Sequence, residues 1–188
     1  MSQGNLFIIS AASGAGKTTL VKELLKIYSN LQVSISHTTR LPRTSEEDGR
    51  DYFFIDDNRF DDMIRKHEFL EYAECHGNRY GTSKKAVNDL LENNFDVILE
   101  IDWQGANSIR KLYPEAVSIF IMPPSIEDLE KRLKGRNQDS EEVIQSRMKS
   151  AIEEISHADE FDYVTINNKI EDTVQELQKI IEQKINKL

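Results

Sequence analysis

Apolar positions follow two rhythms along the chain. Nearly continuous apolar runs at Leu6–Ile9, Asp96–Asp102 and Val117–Met122 have the character of strands buried on both faces. The segment Leu31-Gln32-Val33-Ser34-Ile35-Ser36 alternates with period two and predicts a further strand. Shorter strands are predicted at Tyr52–Ile55 and Phe69–Ala73, and a last core strand at Tyr163–Ile166. The helical rhythm predicts helices over Thr18–Tyr28, Asp56–Lys66, Ser83–Asn93 and Ala106–Leu112. Ser125 opens another helix, with Asp128 at its third position and a stop at Gly135. A helix carrying Arg147 begins near Asp139, and an amphipathic helix spans Ile170–Ile185. His37–Arg43 is expected to be irregular because Pro42 interrupts it, Thr44–Arg50 reads as an acidic turn, and Gly77–Thr82 reads as a loop. Alternating strands and helices predict an α/β fold with a mostly parallel sheet. Residues 33–93, with short strands and polar, aromatic turns, interrupt the large-core pattern.

Composition narrows this picture. A chain of 188 residues suits one domain with a single sizeable core. Its net charge of −9 argues against a nucleic-acid surface driven by bulk electrostatics, so any anionic ligand needs locally placed cations. Cys75 is the one cysteine, which excludes an internal disulfide and favours a reducing cytoplasm. A small, partly buried filler is the simpler role for it. The N-terminus lacks a basic stretch followed by an apolar run, and no apolar segment approaches the roughly 20 residues of a membrane span. The four histidines have no ligand-like spacing for zinc.

The most specific signal is Ala11-Ala12-Ser13-Gly14-Ala15-Gly16-Lys17-Thr18-Thr19, placed between a predicted strand and a predicted helix. It fits G-x-x-x-x-G-K-[ST] except at its first position, Ala11. Small residues let successive backbone N–H groups converge on a phosphate, and the helix N-terminus adds a favourable dipole. Lys17 is placed to reach the β- and γ-phosphates of a nucleoside triphosphate, and the Thr18 hydroxyl to join a Mg²⁺ shell. Glu100 and Asp102 stand at the carboxyl end of a predicted core strand, on one face, where ligands of parallel sheets bind. Asp102 reads either as a water-mediated partner of Mg²⁺ or as a helix cap. Arg40 and Arg43 flank Pro42 near Ser36, Tyr52 and Tyr80, and two arginines three apart can converge on one phosphate. Further arginines stand at 132, 136 and 147.

Together these residues resemble the bacterial guanylate kinases. The resemblance is carried by Ser13–Thr18, by Ser34–Arg40 with Pro42-Arg43, by Asp51–Phe54, by Phe69-Leu70-Glu71 and by Gly77–Thr82. It continues through Glu100–Gly105, Ile119–Ile121 with Pro123–Ser125, and Arg132–Arg136, in the family's order and over nearly the whole chain. It implies transfer of the γ-phosphoryl group of ATP to GMP, and to dGMP, with Mg²⁺ as cofactor. The implied fold is a P-loop NTPase-type three-layer α/β core (about 1–32, 94–125 and 149–188). An inserted GMP-binding region (about 33–93) and a small helical lid (about 126–148) complete a kinase domain over 4–183. Ser36, Arg40, Arg43, Tyr52 and Tyr80 would hold the GMP phosphate; Glu71, Thr82 and Asp102 would read the guanine and its surroundings. Ala11–Thr19, Arg136 and Asn168 would bind ATP, with Lys17, Arg40, Arg132, Arg136 and Arg147 catalytic. The partners implied are ATP and GMP, without nucleic acid or membrane; a homo-oligomer is compatible with the sequence. Departures from the family pattern are Ala11-Ala12, Glu100 in place of a common Asp, and Asn137 where a Gly often follows the second lid arginine. A kinase of another phosphate acceptor and a non-catalytic peptide-binding module of the same fold remain the alternatives.

Overall fold

The structure, a computed structural model, describes residues 3–75, 77–135 and 141–186. Strand β1 (Leu6–Ala11) leads into helix α1 (Lys17–Ile27) and strand β2 (Leu31–Val33). Strands β3 (His37–Thr38) and β4 (Phe53–Phe54), helix α2 (Asp57–Arg65), strands β5 (Phe69–Cys75) and β6 (Asn78–Ser83) and helix α3 (Lys84–Glu92) follow. Then come β7 (Asp96–Glu100), α4 (Trp103–Leu112), β8 (Val117–Met122), α5 (Ile126–Lys134), α6 (Glu141–Ser156), β9 (Tyr163–Ile166) and α7 (Ile170–Ile185). One sheet has the strand order β2-β7-β1-β8-β9, and the other β4-β3-β6-β5. β2 and β7 run parallel, as do β8 and β9. The second sheet is mixed, with β3 parallel to β4 and antiparallel to β6, and β5 antiparallel to β6. The α/β class predicted from the sequence is therefore observed. No described helix is long and apolar enough to cross a membrane.

The chain divides into two compact units, Met1–Phe7 with Asn30–Ala116, and Ile8–Ser29 with Val117–Leu188. In the first, Val97, Ile98 and Leu99 of β7 are fully buried, as are Phe60 of α2, Val87 of α3 and Ile109 of α4. In the second, α1 packs on α7 through helices whose inward faces carry Leu20 and Leu24, and Leu177 and Ile181. Ile119, Phe120 and Ile121 of β8 complete that core.

Local chemistry sets the element boundaries. Side chains of Asp56, Ser83, Asp102 and Ser125 cap α2, α3, α4 and α5, each accepting from the backbone N–H three residues on. Because Asp102 caps it, α4 starts at Trp103, earlier than the predicted Ala106. β2 stops at Val33, short of the predicted Ser36. The Ser34 N–H still reaches the Ile98 carbonyl (3.0 Å), but the Ser36 carbonyl accepts from Phe53 (2.9 Å). The chain has by then changed sheets. Gly77–Thr82, expected to be a loop, is mostly strand β6, because β5 supplies it with an antiparallel partner. Gly81 belongs in that strand for a packing reason: a Cβ there would come within 2.7 Å of the Phe69 ring. β9 is an edge strand rather than a core one. Thr165 is buried, whereas Tyr163, Val164 and Ile166 are exposed. The predicted helix start at Asp139 lies outside the described residues.

Candidate active site

The phosphate loop belongs to the second unit. Ala11 is the last residue of β1, so the methyl that departs from the glycine pattern sits on strand backbone. Gly14 (φ 94°) and Gly16 (φ 101°) occupy the left-handed region, which glycine adopts without steric cost. Gly16 is the N-cap of α1 and offers no side-chain cap, and no acidic residue stands in the first turn. Lys17 opens the helix, and Thr18 and Thr19 are exposed in its first turn. Such a helix start, capped by glycine and with no acidic residue at its positive dipole end, is suited to an anion.

Two of the predicted arginines reach this loop. Arg147 donates from Nη2 to the Ser13 hydroxyl (3.1 Å). Arg132 donates from Nη1 to the Ala15 carbonyl (3.3 Å) and from Nη2 to the Asn167 carbonyl (3.0 Å). Arg136 and Asn137 lie outside the described residues. Asn168 is exposed in the turn after β9, its N–H donating to Ile166 (3.0 Å).

The acceptor candidates lie together in the first unit. Arg40 makes a bidentate pair with Glu46, both contacts at 2.9 Å, and donates to the Leu41 carbonyl (2.8 Å). Its guanidinium carbon stands 5.4 Å from the centre of the Tyr52 ring, and the Tyr52 and Tyr80 rings meet edge to face at 5.9 Å. Arg43 is more exposed; its backbone N–H donates to Glu46 (2.8 Å) and its Nη1 lies 3.5 Å from the same carboxylate. Burial alone would raise the Glu46 carboxyl, but hydrogen bonds from Arg40 and from the Arg43 N–H hold it below the usual value. Burial, aided by the charge of Glu100, pushes the Tyr52 phenol up to about 12. Tyr52 is thus a hydrogen-bond donor at any physiological pH. Ser36 is buried nearby in sequence, between β2 and β3.

Glu71 and Thr82 form a second group. They are direct cross-strand partners on β5 and β6, both buried, and the Thr82 hydroxyl donates to Glu71 Oε1. The other oxygen, Oε2, lies over the start of α4: a Cβ on Gly105 would be 2.5 Å from it. Asp102 holds that helix start, Oδ1 accepting from the Gly105 N–H (2.9 Å) and Oδ2 from Gln104 Nε2 (3.2 Å). A buried carboxylate beside a helix N-terminus, with a hydroxyl on one oxygen, is an acceptor for a ligand bearing paired N–H donors.

Comparison with known proteins bears directly on this geometry. The guanylate kinase family model matches residues 3–184. The chain belongs to the guanylate kinase family. It is 54% identical to the guanylate kinase of Methylobacillus flagellatus over 95% of this chain and 89% of that protein. It is also 54% identical to the guanylate kinase of Haemophilus influenzae, over 97% and 89%. The crystal structure of guanylate kinase from Anaplasma phagocytophilum superposes with a TM-score of 0.82 at 34% identity, covering 98% of this chain and 87% of that one. The family resemblance and the fold expected from the sequence both stand.

Sequence reasoning did not single out Glu46, Glu154 or Asn167. Glu46 sat unnoticed in an acidic turn, three residues after Arg43, a spacing that could have marked it as the arginines' partner. Glu154 accepts from the Ser13 N–H (2.8 Å), yet in the sequence it is one more carboxylate on a helix. Asn167 is 2% exposed and donates from Nδ2 to the Ala15 carbonyl (2.7 Å). The strand that runs into it is its one sequence signal of burial.

Proposed function

We propose that this guanylate kinase family member transfers the γ-phosphoryl group of ATP to GMP, and to dGMP, yielding ADP and the corresponding guanosine diphosphate. The observation that carries the acceptor is the buried Glu71–Thr82 pair. Guanine presents N1–H and N2–H to a carboxylate and O6 to a hydroxyl. Adenine presents an acceptor at N1, which would leave the carboxylate unpaired at a cost far above that of a missing methyl group. Ser36, Arg40, Arg43, Tyr52 and Tyr80 are assigned to the GMP phosphate, with Glu46 holding the two arginines ready. Asp102 is assigned to the guanine end through the helix start that it caps.

Ala11–Thr19 are assigned to the ATP phosphates and Asn168 to the region of the adenine. Among the described residues no cluster of three or more His, Cys, Asp or Glu is arranged to hold a metal. The Thr18 hydroxyl in the first turn of α1 would hold Mg²⁺ that accompanies the ATP phosphates. When bound, Mg²⁺ would neutralise charge on the β- and γ-phosphates. A GMP phosphate oxygen is the nucleophile: it forms the new bond to Pγ as the bond from Pγ to the bridging oxygen breaks, and ADP leaves. The nucleophile is already ionised at neutral pH, so positioning and charge stabilisation by Lys17, Arg40, Arg132, Arg136 and Arg147 suffice. We assign residues of about 33–93 to GMP binding and about 126–148 to a lid, and place the reaction in the cytoplasm.

A coupled assay with Mg-ATP and a panel of GMP, dGMP, AMP, UMP and ribose bisphosphate tests the reading. Turnover confined to the guanine nucleotides is expected. ATP binding without turnover of any acceptor would overturn it in favour of a non-catalytic module.

A further inference from the structure

Among the described residues four side chains hold the phosphate loop, and two of them are arginines assigned to the reaction. Ser13 is held at its N–H by Glu154 Oε2 (2.8 Å) and at its hydroxyl by Arg147 (3.1 Å). The Ala15 carbonyl is held by Arg132 (3.3 Å) and by Asn167 Nδ2 (2.7 Å). Arg132 and Arg147 have another destination, the transferring phosphoryl group. Once they turn to it, Glu154 and Asn167 are what remains of the grip.

Asn167 is built for that task. Its own N–H donates to the Met122 carbonyl (2.8 Å), fixing its backbone to the end of β8. Its Oδ1 accepts from the Thr173 hydroxyl (3.2 Å), which fixes the amide so that Nδ2 faces the loop. Thr173 is itself buried, and its single hydroxyl proton is shared between Asn167 and the Lys169 carbonyl (2.9 Å). The loop is shaped to receive this amide: a Cβ on Gly16 would come within 2.5 Å of Asn167 Nδ2. Holding the Ala15 carbonyl fixes the backbone between Gly14 and Gly16, the two left-handed glycines that shape the loop. A loop already held in its binding shape binds without the cost of ordering it.

We propose that Asn167 and Glu154 are positioning residues, a two-point clamp that keeps the phosphate loop in its ATP-binding shape while Arg132 and Arg147 move to the phosphates. The proposal rests on the assignment of this loop to ATP. Its test is the binding of a fluorescent N-methylanthraniloyl ATP, measured beside steady-state KM values for ATP and GMP and the thermal midpoint. For Asn167→Ala and Glu154→Ala the expected result is about a tenfold or greater loss of ATP affinity, on the order of one lost buried hydrogen bond, with the KM for GMP within about twofold of the parent. Glu154→Gln keeps an oxygen to accept from the Ser13 N–H and should restore binding to near the parent value. Asn167→Asp, which presents an oxygen to the Ala15 carbonyl, should be at least as impaired as the alanine variant. Unchanged ATP affinity in Asn167→Ala, or equal loss for ATP and GMP accompanied by a lower thermal midpoint, would overturn the clamp. A parent that binds the ATP probe but turns over no guanine nucleotide would sink the phosphotransfer reading alone, since the clamp is read from binding. A parent that does not bind the probe would sink both.

Discussion

Gly105→Ala is the substitution that most directly probes how Glu71 is held. The added Cβ would lie 2.5 Å from Glu71 Oε2 and 3.0 Å from its Cδ, where ordinary contact begins at 3.4 Å. The carboxylate must therefore move by about 0.9 Å, and it has little room because Glu71 is buried and bonded to Thr82. Losing one hydrogen bond to a charged acceptor costs about 1.5–3 kcal/mol. At 1.4 kcal/mol per tenfold, that is about a ten- to hundredfold rise in the KM for GMP. The KM for ATP should stay put. Helix propensity works in the opposite direction, since alanine within a helix is favoured over glycine by up to about 1 kcal/mol. A drop in the thermal midpoint is therefore not needed for the effect. The assay is coupled turnover with GMP and with IMP, which lacks the 2-amino group. The variant should lose affinity for GMP and narrow the GMP-over-IMP preference. An unaltered KM for GMP together with an unaltered preference would refute the argument that Gly105 makes room for the guanine-reading carboxylate.

Lys17→Ala should lower kcat at least about a hundredfold, the scale of losing one transition-state charge stabiliser; near-normal turnover would remove Lys17 from the mechanism. Glu71→Gln turns one acceptor into a donor, so it should weaken GMP use selectively, and an unchanged preference for GMP over AMP in the same assay would count against the assignment. Tyr52, with its phenol raised to about 12 in the fold, stabilises the folded state fully below pH 10, and that contribution is lost as pH climbs from 10 through 12. At 1.36 kcal/mol per unit it amounts to about 2–3 kcal/mol. In urea titrations at pH 8 and pH 11, Tyr52→Phe should lose less stability between the two pH values than the parent, and an equal loss would show that Tyr52 is not the group involved.

The phosphate loop was legible in the sequence because its chemistry is contiguous: strand, small residues, Lys17-Thr18 and helix follow one another without a gap. α7 was legible over its full length from six apolar positions, since a single amphipathic stripe fixes a surface helix. Glu71 was different. It stands among 33 acidic residues, and only the pairing of β5 with β6 brings it to Thr82. That pairing was itself hidden, because Asn78 and Gly81 carry turn chemistry, and what makes β6 a strand is a partner strand and the ring of Phe69. Asn167 and Glu154 were invisible for a related reason. Their contacts reach across 152 and 141 residues of sequence, and hydrogen bonds to backbone atoms leave no pattern of complementary side chains to read.

Among the described helix starts, those of α2, α3, α4 and α5 are closed by a side chain, whereas those of α1 and α7 are not. On the proposed assignment, the ATP phosphates would cap α1. Folding and nucleotide occupancy are then linked quantities: a phosphate ligand that binds only the folded chain adds about 2.7 kcal/mol at a hundred times its dissociation constant. A triphosphate bound at α1 would add that increment to the stability of the folded protein. Its resistance to unfolding and proteolysis would thereby rise and fall with the supply of the nucleotide it consumes.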